Sequence, residues 1–236
     1  MRYRALDIWR GIACIGMFIF HVEAIRIFVF MASSNWIFEW PGLLLGQFVR
    51  ISFLLLVGTS TWIIYDKYKG GSEFKLKQFN RFLKVGLVAL LVTGISYAIV
   101  PRFFIVFGIL HLIALSNLLM IPLARLNKYI CVLLGIALIA AGNLTYSLDL
   151  GIIINFLLGQ PFDSFVTFDY FPLVPWFGYV LIGFGAGKFI IDTSEKIIFF
   201  KPKQVELLGK RALEFYVFHL ALIYLFWNVV LISVKS

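Results

Sequence analysis

The sequence predicts an all-α integral membrane protein: a single bundle of about seven transmembrane helices, with the N-terminus cytoplasmic and the C-terminus outside. Three observations carry this expectation. Of 236 residues, 61% are hydrophobic, 26 are Phe, and mean hydropathy is +0.95, which leaves too little polar surface to clothe a water-soluble globule. Apolar runs recur at close to the roughly 20 residues that cross a lipid core. The charged residues fall between those runs and sort by sign from one connection to the next.

Taken in order, the spans are expected at about 6–31, 42–65, 82–100, 103–123, 129–147, 171–192 and 212–233. Arg2 and Arg4 precede the first. Lys67, Lys69, Lys75, Lys77, Arg81 and Lys84 separate the second from the third, Arg125 and Lys128 follow the fourth, and Lys188, Lys196, Lys201, Lys203, Lys210 and Arg211 surround the sixth loop. The alternate connections carry Glu39, Asp149, Asp163 and Asp169, with Arg102 and the terminal Lys235 as their basic residues. Under the positive-inside rule the charge bias agrees at every turn with the N-terminus inside and the C-terminus outside, and the membrane is expected to be the plasma membrane. The same rule accounts for the net charge of +9 without nucleic acid as a partner. Residues 66–81 read as a Lys-rich linker with a turn or two of helix. Gly151 to Leu158 is too short to cross and suits an interfacial or re-entrant stretch, a lid over an outer opening. One domain, residues 1–236, is the simplest organisation.

Within the first span Asp7, Arg10, Cys14 and His21 recur along one side. At about 100° per residue, Arg10 and His21 share a face to within about 20°. An ionisable group near the bilayer centre costs at least about 2.5–3.5 kcal/mol, so such a column is expected to face a cavity and reads as a functional site. From rise and core thickness, His21 and His111 fall at nearly the same level in the outer half, whereas His219 falls nearer the inner boundary, level with Arg10 or slightly above it. Histidine is the side chain best suited to take a proton near neutral pH, and is the leading candidate base. The bland alternatives are a histidine satisfied by a neighbouring carbonyl, and an Asp7–Arg10 boundary ion pair at i, i+3. Arg50, inside the second span, needs a carboxylate, a carbonyl cluster or an anionic ligand. Glu23 and Arg26 read as an outer-interface pair, and Glu214 as neutralised by Arg211.

Other signals carry less. Cys14 and Cys131 lie in apolar spans and define no disulfide framework. Gly183 to Lys188 resembles a phosphate loop only in composition, and Gly183 and Gly187 read instead as helix-packing glycines. The sequon at Asn143 falls at a membrane boundary. No metal site is expected.

Leu6–Asp7–Ile8–Trp9–Arg10–Gly11 followed by His21 resembles the opening of the transmembrane acyltransferases, with ten residues between the Arg and the His. Phe53 to Gly58, Phe107 to Ser116, Asp169 to Gly178, and Leu208 to Leu213 with His219 resemble, in that order, the small prokaryotic relatives of lysosomal heparan-α-glucosaminide N-acetyltransferase. The resemblance implies a membrane acetyltransferase that takes acetyl-CoA from the cytoplasm and passes the acetyl group to an amine or hydroxyl, that of a sugar, reached from the other face. Relatives imply a homodimer. Asp7, Arg10 and His21 match the opening motif, His111 the fourth-span motif and Trp176 the Pro–Trp motif.

On that reading His21, helped by His111, is the general base, and Arg10 positions His21 or the pantetheine arm. Lys84, Arg125, Lys210 and Arg211 are the candidates for the CoA phosphates, with Arg50, Trp176 and His219 completing the cofactor-binding set. Two rivals use the same polar column: a haem-bearing electron-transfer protein with His21 and His111 as axial ligands, and a transporter for a proton-coupled solute.

Overall fold

The helices follow from apolar runs that satisfy their own backbone polar groups, as lipid requires. In the computed structural model, residues 3–28, 36–142, 151–159 and 165–235 are described. Arg2, Asp149, Asp163, the Asn143 sequon and the end of the first expected span lie outside them.

Among the described residues there are ten α-helices and two short 3₁₀ turns. They are α1 (Arg4–Phe28), α2 (Trp40–Tyr68), α3 (Ser72–Ile99), α4 (Ile109–Leu123), α5 (Lys128–Ala141), α6 (Ile152–Leu157), α7 (Leu173–Gly185), α8 (Gly187–Ile197), α9 (Lys203–Lys210) and α10 (Ala212–Lys235). α1, α2, α3 and residues Ala212–Val230 of α10 are long and apolar enough to cross a membrane, and α7 with α8, bent by 77°, is a fifth span if the pair is taken together. α4 and α5 are shorter apolar helices. The protein is therefore an all-helical membrane protein.

Two units divide the chain. A central unit comprises Leu54–Thr193, and a terminal unit Arg2–Phe53 with Ser194–Ser236, so the division falls inside α2 and inside α8.

In the terminal unit α1 packs on α9 and α10. Glycine decides the closest approach: a methyl group on Gly209 would collide with the backbone of Asp7 and Gly11, and one on Gly11 with Val205 of α9. Gly16 opens α1 to Val49 and Leu45 of α2, and Trp9 Nε1 donates to Ser52 Oγ at 3.0 Å. The first turn of α1 has a free backbone donor at Ala5, which the Glu195 carboxylate accepts at 3.0 Å. Lys201 pairs with that carboxylate.

In the central unit α3 packs on α4, and α5 on α7. Gly135 and Gly178 bring the backbones of α5 and α7 together, while Gly58 and Gly183 do the same for α2 and α7. Gly187 lies against the Trp62 ring, so Gly183 and Gly187 have the packing role expected of them. α7 bends where Val174, extended as a residue before proline tends to be, has φ −98° and ψ 124°.

The structure corrects two expectations. Residues 66–81 are mostly helix rather than linker, because Phe74 and Gln78, one turn apart, are both fully buried. Phe74 meets the Tyr65 ring edge-on, and Gln78 Nε2 donates to Thr61 Oγ1 at 3.0 Å. These contacts anchor α3 ten residues before its expected start. The sixth expected span is broken: α7 ends near Ala186 and α8 leaves at 77° with Phe189 exposed. α6 is a short helix of six residues, with Ile152 and Ile153 three-quarters exposed.

Candidate functional site

The terminal unit gathers Asp7, Arg10, His21, Arg50, Lys210, Arg211 and His219; the central unit holds Lys84, His111, Arg125 and Trp176.

At the start of α1 the charges are paired. Arg10 Nη1 lies 2.9 Å from Asp7 Oδ1, with Asp7 buried, and reaches the Gly209 carbonyl at 3.5 Å. The boundary pair read from the spacing is present, and it also ties α1 to the end of α9. Glu206 of α9 accepts from Arg4 at 2.9 Å and from Lys210. Lys210 first, then Arg4, hold the Glu206 carboxyl below its ordinary 4.5. Arg211 lies 3.9 Å from Glu214, both exposed. Near the other end of α1, Arg26 grips Glu23 at 2.6 and 2.9 Å.

Three turns further along α1 from Arg10, His21 meets His219 of α10. His21 Nδ1 lies 3.0 Å from His219 Nε2, and the rings are 5.0 Å apart between centroids. His219 is fully buried, and its Nδ1 lies 3.0 Å from the Phe215 carbonyl and 2.8 Å from that of Tyr216. Phe215 stacks on the His219 ring, and Phe20 meets His21 edge-on. Trp227 Nε1 donates to the Val22 carbonyl at 3.1 Å, which fixes the register of α10 on α1 beyond the two rings.

This pairing overturns the expected difference in depth between the two histidines. The sequence reading set the starts of α1 and α10 at one level. Gly209, however, sits against Asp7 and Gly11, so α10 begins further along α1 and His219 reaches the level of His21.

Cys14 is fully buried on the same helix. Arg50 Nε donates to the Gly46 carbonyl at 2.9 Å, one turn back on α2.

In the central unit His111 occupies the first turn of α4. Its Nδ1 accepts from the Gly108 N–H at 3.2 Å, and its Nε2 lies 3.2 Å from Thr93 Oγ1, which itself donates to the Ile105 carbonyl at 2.8 Å. Thr93 has spent its proton on Ile105, so it accepts from His111 Nε2–H. Both ring nitrogens are thus engaged, an arrangement that closes the helix start and gives the axial haem-ligand reading no support. Asp169 Oδ2 accepts from the Ile109 N–H at 2.9 Å, a second cap on the same end. The Tyr170 hydroxyl donates to the Phe156 carbonyl, and burial pushes this phenol up to about 12. Trp176 packs against Phe171 and Tyr179. Lys84 and Arg125 are exposed. Among the described residues there is no group of three or more His, Cys, Asp or Glu able to hold a metal ion.

Sequence reasoning did not single out Thr93, Ser52, Glu195 or Glu206, or the helix α9 itself. The signal for α9 was present in Val205, Leu208 and Gly209, one side of a short helix between Pro202 and Arg211.

Apolar helices of lipid length with ionisable groups inside α1, α2 and α10 define a polytopic α-helical membrane protein with buried polar groups. A family model described as heparan-alpha-glucosaminide N-acetyltransferase, catalytic, matches residues 2–221, and the chain belongs to that family. No curated protein and no solved structure matches it significantly.

Proposed function

We propose that this protein transfers the acetyl group of cytoplasmic acetyl-CoA to an amine or hydroxyl, that of a sugar, reached from the outer face of the plasma membrane. The family match over residues 2–221 is the observation that carries the reading, since it spans both units and supports one acyltransferase-like domain, 1–236. The sorting of loop charges supports about seven spans with the N-terminus inside and the C-terminus outside, the shorter apolar helices α4 and α5 crossing as well. A homodimer is part of the same proposal.

His21 is the general base. The acceptor nitrogen or oxygen attacks the thioester carbonyl carbon, its proton passes to His21, and the carbon–sulfur bond breaks as the CoA thiolate leaves and takes up that proton, which returns His21 to its neutral form. His21 is half-buried in the terminal unit, on the polar side of α1. His111 serves its helix start first, so its contribution to the chemistry is secondary. Arg10, held by Asp7 and the Gly209 carbonyl, positions the base or the pantetheine arm. Lys210 and Arg211 in the terminal unit, and Lys84 and Arg125 in the central unit, are the candidates for the CoA phosphates, and Arg50 and Trp176 are further candidates for cofactor contact.

The test is purified protein in nanodiscs given acetyl-labelled CoA and glucosamine or glucose. The reading expects label on the acceptor together with free CoA. No release of CoA and no protection by CoA against thermal unfolding would contradict it.

A further inference from the structure

We infer that His219 is a positioning residue that fixes the tautomer of His21, so that Nε2 of His21 is the nitrogen that takes the acceptor's proton; this rests on the reading of His21 as base.

The inference follows from counting donors. Carbonyl oxygens only accept, and His219 Nδ1 faces two of them, at Phe215 and Tyr216. In a neutral ring that nitrogen therefore carries the proton, and Nε2 carries the lone pair. His21 Nδ1 lies 3.0 Å from that lone pair, so it must donate, and its own proton sits on Nδ1. One nitrogen of His21 remains with a lone pair: Nε2. The direction of the whole chain is set at its buried end, by two carbonyls of α10 that cannot turn.

The arrangement also resists rotation. His219 is fully buried, stacked on Phe215 with an interplanar angle of 13° and met edge-on by Tyr216, so its ring cannot flip without emptying the packing around it. Isolated imidazole side chains place the proton on either nitrogen, and a base with its proton on the wrong nitrogen cannot act. Orientation by a second group is how such bases are held ready.

The chain has three histidines, so nitrogen-15 labelling of histidine resolves each by NMR. In the wild type, His21 is expected as the Nδ1–H form with Nε2 unprotonated. In His219→Leu, the Nε2–H form should appear at His21, and kcat should fall at least about tenfold with KM for acetyl-CoA nearly unchanged. His219→Gln, whose side-chain oxygen stands where Nε2 stood and accepts from His21, should recover most of the rate.

An Nε2–H form of His21 in the wild type overturns the inference, even if the leucine variant fails to fold. So does a folded leucine variant with full kcat. If His21→Ala itself retains full transfer, the failure belongs to the base assignment instead.

Discussion

Gly11 of α1 and Gly209 of α9 lie backbone against backbone, with room for no side chain between them. This contact sets the level at which α10 starts along α1, and through it the meeting of His21 with His219. Arg10 crosses the same junction to the Gly209 carbonyl.

Gly209→Val therefore forces backbone to move. Overfilling a packed contact costs about 1–3 kcal/mol, so thermal unfolding in detergent should fall clearly below the wild type. The His21–His219 hydrogen bond should weaken with it, since the register of α10 is lost. A change at Gly94, where an added methyl would meet open space, should leave both untouched.

Glu206 predicts a pH dependence. Its folded carboxyl is held below the ordinary 4.5 by Lys210 and then Arg4, so the stabilisation is complete above that value. It is lost as pH falls through the depressed folded value. Glu206→Gln should lower thermal stability at neutral pH and flatten the acid limb of stability against pH; an unchanged acid limb would show that other carboxylates govern it.

The long helices were legible because composition alone announces a lipid-crossing run. Local pairs were legible too: Asp7 with Arg10 and Glu23 with Arg26 obey helical spacing and need no knowledge of the fold. The His21–His219 pair was not, because it joins residues 198 apart through a register set by two glycines. The break between α7 and α8 was hidden for a related reason. Hydropathy runs on through Ala186, while the bend depends on where the flanking glycines meet α2 and α5.

His111 and His21 should respond differently to substitution. His111→Ala removes the acceptor for Gly108 and the donor to Thr93, a loss of cap costing about 0.5–2 kcal/mol, and thermal unfolding should report it. His111→Asn, which keeps a short polar group at the helix start, should recover part of the stability. Transfer rates per folded molecule should change far less than in His21→Ala.

Asp169→Ala removes the other cap of α4, the acceptor for Ile109 N–H at 2.9 Å. A loss of about 0.5–2 kcal/mol is expected. Asp169→Asn keeps an oxygen acceptor and should lie between the two. Equal stability of all three proteins would remove this cap from the account.

The most direct test of the central claim is single-turnover acetyl transfer from labelled acetyl-CoA by wild type and His21→Ala in nanodiscs, with CoA binding measured on the same samples. The account predicts that the variant still binds CoA and loses about a hundredfold or more in the transfer step. Transfer at the wild-type rate by a folded His21→Ala protein would contradict it.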